Sequence, residues 1–426
     1  MPSPEPIEAE NPSPLALPGM PSASEEAHPW QPIDQTQRFV ALDVIRGIAL
    51  LGVLLVNLLS DFRIPLAQHI LTFHTDPDWT DRAVDIGVAV LLEFKAMTLF
   101  SLLFGVGVAV FAERAAARGV DATRFLARRF LVLLALGLCH LLLIWNGDIL
   151  TLYAVCGVLL LPLLRLRTPT LACVGILLLG VAFVNPLGFL WPGDAVMHSL
   201  ATEGARIYAR GSFADVLGFH WRETGQFIVP ILFITLPKIG GLMALGAAAW
   251  RAGVVRDPQK HQELLREVAL LGSVLGGTMT ILSVHAASTG TPSNVPSLAL
   301  EAGSMVPLSL AYGAGLLLAL RSPRLLAAAA PFAAVGRMAM TNYLTQSVAL
   351  SLLFYGYGLG LAGRTGSATA ALIGVVLYAI QMLLSCWWLR RYRFGPVEWL
   401  WRSLTYGRRQ SMQRTTKPSP PQSADG

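Results

Sequence analysis

Charge is scarce in this sequence. Only 14% of its 426 residues are charged, against 54% hydrophobic, and the mean hydropathy is +0.56. A soluble domain carries about 25% charge, so the shortfall excludes a disordered chain and argues against a soluble enzyme. Cysteine is scarce too: the four present, Cys139, Cys156, Cys173 and Cys386, all lie in apolar stretches. They exclude a disulfide scaffold, and no C-x-x-C pair offers metal or redox chemistry. The 39 glycines follow no G-X-Y period, which excludes collagen. No lysine or arginine precedes Arg38, so the basic start and apolar core of a secretory signal are missing. Long apolar runs are what the chain has in quantity. It reads as a multispanning membrane protein.

Residues 1–37, rich in proline, serine and glutamate, read as a disordered acidic tail, and 410–426 as a second one. The folding part, 38–409, reads as a single transmembrane domain. A helix crossing roughly 30 Å of hydrocarbon needs about 20 apolar residues. Such runs begin near Ala41, Ile86, Phe130, Ile149, Thr170, Phe227, Val268, Ala302, Met338 and Ala370. They predict an all-α bundle of about ten membrane-crossing helices. If the N-terminus is cytoplasmic, 23 of the 32 basic residues fall on inner segments. Six (Arg63, Arg82, Arg206, Arg210, Arg222, Arg364) fall outside, and Arg46, Lys95 and Lys238 lie within spans. The asymmetry predicts cytoplasmic termini. The net charge of +6 then reflects topology and anionic lipid, with no nucleic acid implied. Residues 191–225 read as short amphipathic helices on the outer surface, and 251–266 as a charged helical extension of the sixth and seventh spans.

An ionisable group near mid-span costs about 2.5–3.5 kcal/mol or more, so it has a partner or a task. On the first span, Asp43, Arg46 and Asn57 form one polar stripe, open to two readings: a helix-end anchor or a substrate pocket. Glu93 and Lys95 lie two apart in the second span and face different sides; outward snorkelling is the ordinary reading of Lys95. His140 ends the third span, and the tight turn NGDIL brings Asp148 near it, with Tyr153 one turn into the fourth. A carboxylate orienting an imidazole is what a general base needs, and also how a buried histidine is satisfied. Lys238 follows Pro237 in a span expected to kink. His285 and Glu301 close the outer ends of the seventh and eighth spans. Asn342, Tyr343 and Gln346 share a polar face on the ninth, where interhelical hydrogen bonding is the ordinary reading. Six histidines (His69, His74, His140, His198, His220, His285) fall outside, but no pair has the i, i+4 spacing of a helical zinc site, so no metal is expected. The letters Gly358-x-Gly360-x-x-Gly363 lack the strand–turn–helix context of a dinucleotide fingerprint.

Several blocks together resemble the YeiB-like family of bacterial inner-membrane proteins. They are LDVIRGIALLGVLLVN (42–57), TLFSLLFGVG (98–107), WNGDILTLYAVCG (145–157), VGRMAMTNYLTQS (335–347), LLFYGYGLGL (352–361) and FGPVEWLWRSLTYG (394–407). The first also resembles the start of the transmembrane acyltransferases of the heparan-α-glucosaminide N-acetyltransferase type. The resemblance implies an acyltransferase-like part at about 38–190 and a YeiB-like part at about 226–407. It further implies acyl transfer from a cytoplasmic thioester, with acyl-CoA as co-substrate and no resident cofactor. The acceptor would be a small molecule or an envelope glycan. By the resemblance Asn57 and a following histidine, here His69, would serve the active site; on the residues' own pattern, His140 oriented by Asp148 is the alternative catalytic base. Asp43, Arg46, Glu93, Lys95, Tyr153, Asn342 and Gln346 would line the substrate site. A transporter of a small polar solute and a non-catalytic envelope component are the competing expectations. Oligomeric state is not legible from the residues.

Overall fold

The computed structural model describes residues 39–71, 78–119, 121–183, 191–289 and 295–413. The tail 1–37, residues 414–426 of the second tail and His74 lie outside them, as does the side chain of Glu301. The described residues are helical, and their β-pairing is one isolated bridge, Tyr392 with Gln413. Seventeen helices follow in order. They are α1 (Val40–Asn57), α2 (Leu66–Leu71), α3 (Trp79–Leu91), α4 (Lys95–Ala117), α5 (Ala122–Leu143), α6 (Leu150–Leu163), α7 (Thr168–Phe183), α8 (Asp194–Arg210) and α9 (Phe213–Pro230). Then come α10 (Leu236–Arg251), α11 (Gln262–Thr289), α12 (Val295–Ala319), α13 (Pro323–Ala328), α14 (Ala330–Arg337), α15 (Ala339–Phe354), α16 (Ser367–Arg391) and α17 (Pro396–Tyr406). Among the described residues, six stretches are long and apolar enough to cross a membrane: Val40–Phe62, Trp79–Ala117, Ala122–Leu143, Phe213–Arg251, Gln262–Ala286 and Ser367–Arg391. Exposed Ile176, Leu177, Leu270, Leu271 and Leu383 belong in lipid rather than water. The protein is an all-α polytopic membrane bundle.

Without a hydrophobic drive between helices in lipid, close backbone packing holds a bundle together. Here glycines provide it. A methyl group at Gly105 of α4 would collide with the carbonyl of Met243 on α10, and one at Gly246 of α10 with the carbonyl of Leu102. Gly47 of α1 and Gly336 of α14 press on each other's helices in the same way.

Four local expectations are corrected. The sixth span starts much earlier than Phe227: a capping box at Ser212 and Asp215 launches α9, which runs through a π-helical turn (Ile231–Thr235) into α10. Pro230 and Pro237 bracket that turn, whose wider ring absorbs the lost hydrogen bonds without ending the helix. Residues 213–225 are therefore the start of this helix, not a surface segment. The second span is broken: Phe94 takes φ 56°, the left-handed region, and separates α3 from α4. Residues 252–261 form turns rather than a helical extension, because Gly253 at φ 82° ends α10 and Pro258 follows. Finally, 410–413 are held: Arg393 N–H donates to Met412 O at 2.9 Å, and Trp399 Nε1 to Gln410 O at 2.8 Å.

Candidate functional site

Polar side chains concentrate at the Asp61 end of the bundle, opposite Arg46. The connection between α5 and α6 organises them. Asp148 caps α6, accepting from Leu150 N at 3.1 Å and Thr151 N at 2.7 Å. Its Oδ1 also lies 2.8 Å from His140 Nδ1, with both side chains essentially inaccessible. The pairing that the short turn predicts is thus present, and Tyr343 packs on the imidazole at 5.2 Å. His140 Nε2 makes no hydrogen bond.

Trp145 and Asn146, in the same turn, hold two acids that the sequence reading missed. Trp145 Nε1 donates to Asp61 Oδ2 at 2.8 Å, and Asn146 Nδ2 to Glu223 Oε2 at 2.9 Å. Asp61 sits in a second π-helical turn, Leu58–Phe62, that prolongs α1. Rings close around the pair: Phe62 lies 4.8 Å from Trp145 and 5.6 Å from Tyr355, and Tyr355 lies 4.5 Å from Tyr208. His220 Nε2 is 3.2 Å from the Tyr208 hydroxyl. Burial first, and then neighbouring phenol and carboxylate charge, holds Tyr208 and Tyr355 well above the usual phenol range. Both stay neutral hydroxyls. A usable signal was Asp61, four residues past Asn57 in the first block; Glu223 was hidden by the assignment of its segment to the surface.

A second histidine–carboxylate pair lies at the α3–α4 break. There, α2 brings His69 Nε2 to 3.6 Å from Glu93 Oε1, each side chain 13% exposed. Lys95 does not snorkel: it is 1% exposed and its Nζ donates to Ala89 O at 2.9 Å. The physical reason is the break itself. Glu93 N–H bonds to Val88 O, so the Ala89 carbonyl loses its helical donor and the ammonium replaces it. Across the break, Lys238 of α10 stands 5.1 Å above the Phe94 ring.

The remaining expected site residues are dispersed. Arg46 and Asp43 pair at 2.9 Å near the start of α1, where a carboxylate complements the helix dipole. Asn57 closes α1, half-buried, directly before the π turn. Tyr153 OH lies 3.0 Å from Ser101 Oγ in the core. Asn342 donates to Ser385 at 3.0 Å and Gln346 to Gln381 at 2.8 Å, both binding α15 to α16. Among the described residues, no three acids, histidines or cysteines are grouped to hold a metal.

At the opposite end, the ends of α4, α5, α6 and α10 away from Asp61 border an open cavity of about 470 Å³, lined by Glu113, Thr123, Arg165, Thr168, Arg251 and Arg256 among others. Glu113 accepts from Trp250 Nε1 at 2.6 Å and pairs with Arg256 at 2.9 Å. Arg251 holds the carbonyls of Leu164 and Leu166 at 2.6 and 3.1 Å, while Arg165 and Arg256 on this wall are exposed.

A family model described as a protein of unknown function (DUF418) matches residues 249–408. The chain is 33% identical over 412 residues to the uncharacterised protein YxaH of Bacillus subtilis, covering 91% of this chain and 99% of YxaH. It is 30% identical over 407 residues to the uncharacterised protein YeiB of Escherichia coli, covering 87% and 96%. An uncharacterised 39.9 kDa protein of Bacillus acidopullulyticus is 28% identical over 386 residues, covering 89% and 96%.

Proposed function

The chain belongs to the family of YxaH and YeiB, and from that footing we propose that it transfers an acyl group across the bacterial inner membrane. The donor is a cytoplasmic acyl-CoA thioester, and the acceptor a hydroxyl or amine on a small molecule or envelope glycan at the outer face. Both termini lie in the cytoplasm in this reading. The observation that supports it is the placement of His69 against Glu93, 3.6 Å apart, at a break inside the membrane. This is the histidine that the first-block resemblance implies.

The imidazole of His69 takes the acceptor's proton as the acceptor oxygen or nitrogen attacks the thioester carbonyl. Glu93 orients the ring and stabilises the imidazolium. The Asn57 amide, one helical end away, supplies a hydrogen bond to the developing oxyanion. Collapse breaks the carbon–sulfur bond, and the thiolate takes the proton back from the imidazolium. At the far end, the arginine-bearing cavity suits the anionic part of the donor. Helix α4 links the two: its wall residues Ala109–Ala116 lie 14 to 21 residues beyond Lys95, about 21–32 Å. Only a donor with a long flexible arm fits such a separation.

The test is acetyl-CoA turnover by the purified full chain against envelope extract. His69→Ala is expected to lower transfer by about 10²–10⁴-fold. Transfer unchanged in that variant sinks the assignment, and loss in His140→Ala alone moves it to the second pair. Transport is the runner-up, favoured by the broken α3–α4 and the π-turned α9–α10 meeting at Phe94 and Lys238, since interrupted helices mark many solute sites. Gradient-dependent uptake into proteoliposomes with no covalent product selects it.

A further inference from the structure

The acids at the Asp61 end lack what buried carboxylates normally have. Asp61 is 5% exposed and Glu223 1% exposed; Glu223 uses one oxygen on a single neutral donor, while Asp61 has Trp145 with the Tyr208 hydroxyl and the Leu66 N–H close by, all neutral. Asp61 Oδ1 and Glu223 Oε1 make no well-formed hydrogen bond. Nor does the hydroxyl of Tyr355, which is 0% exposed and close enough to feel the charge of both acids. Among the described residues, neither acid lies within 4 Å of a basic group in an ion pair. Of the basic residues nearest in sequence, Arg63 lies 3.9 Å from Asp85, with its Nε making no hydrogen bond, and Arg222 pairs with Glu203 at 2.5 Å on the surface. Buried polar groups in native proteins are satisfied, so this many orphaned oxygens in one cluster indicates a missing partner.

The surroundings define that partner. A cation that also donates hydrogen bonds would meet both the carboxylates and the free oxygens. A divalent metal is poorly served, because only two carboxylates converge and no three-ligand group is present among the described residues. The walls are instead π faces: Phe62, Trp145, Tyr208 and Tyr355, with His220 behind. Carboxylates combined with aromatic faces recognise an ammonium group, through charge-assisted hydrogen bonds and cation–π attraction. We propose that Asp61, Glu223 and the rings around them form a binding site for the ammonium group of an organic amine. The site shares no residue with the His69–Glu93 pair and holds whether the protein is a transferase or a transporter.

The experiment follows thermal unfolding of the purified full chain in detergent, titrated with ethylammonium chloride and with tetramethylammonium chloride against potassium chloride at equal ionic strength. Because a ligand that binds the folded state raises its midpoint by mass action, a saturable rise with the ammonium salts and none with potassium is expected. Asp61→Asn and Glu223→Gln keep an oxygen for Trp145 and Asn146 while removing the charge, and each should weaken the apparent affinity by about tenfold or more. Tyr355→Phe should keep the tetramethylammonium response and Tyr355→Leu should weaken it, which tests the aromatic wall should either acid variant fail to fold. Glu203→Gln, on the surface, should change nothing. Equal responses to ammonium and potassium, or ammonium responses identical in the wild type and in every folded site variant, overturn the proposal. Since no turnover is read, its failure leaves the transfer reading untouched.

Discussion

A lysine inside a membrane takes an oxygen where the backbone offers one, and Lys95 shows how local the reason is. Its ammonium is held by a carbonyl that the α3–α4 break has stripped of its helical donor. Replacing it by methionine leaves the Ala89 carbonyl without that donor, and the cost is about 1–3 kcal/mol, read as a lower unfolding midpoint in detergent. Gly105 gives a second residue-scale prediction. Its missing side chain is what lets α4 reach the backbone of α10. Gly105→Ala should destabilise by about 1–3 kcal/mol, or more where the backbone cannot yield, while alanine at Gly107, which faces open space, should be well tolerated. The residue identities were visible in the sequence. Which of two glycines two positions apart is indispensable was not, because that depends on the neighbour each one faces.

Elements carry the next kind of information. The helix α17 folds back so that Glu398 caps α15, accepting from Met340 N at 2.7 Å, Thr341 N at 3.1 Å and Thr341 Oγ1 at 2.5 Å. Burial raises the Glu398 carboxyl above the usual carboxylate range despite those donors. The sign follows: ionising it costs more in the folded than in the unfolded chain. This cost is absent below the ordinary carboxylate pKa, grows as pH rises through it, and is complete above the raised folded value. Glu398→Gln, which keeps an acceptor for Thr341, removes that dependence. The stability of the wild type relative to this variant should therefore fall as pH rises, measured by unfolding across about pH 4 to 8. The specific block FGPVEWLWRSLTYG was legible as a motif, but its role as a cap was not, since 57 residues separate Glu398 from Thr341. The same limit hid Glu223. Its segment has the polar composition of a surface helix, and only the continuation through Pro230 and the π turn places it in the bundle.

At the scale of the whole molecule, the basic residues predict cytoplasmic termini. Reporter fusions at the C-terminus and within 191–212 test this. A fluorescent protein at the C-terminus and a periplasm-dependent phosphatase in the second position should both be active, and the reversed pattern would invert the proposed faces. Membrane residence and the all-α class were determined by the sequence alone, because lipid permits few ways to satisfy a backbone and apolar length is additive along the chain. The His140–Asp148 pair was legible for a related reason: a tight turn leaves little freedom to the residues on either side of it. The aromatic cage around Asp61 and Glu223 was decided by tertiary structure. Its members come from α1, the α5–α6 turn, α8, α9 and the end of α15, and their meeting depends on how separate helices pack, which no local pattern in the chain encodes.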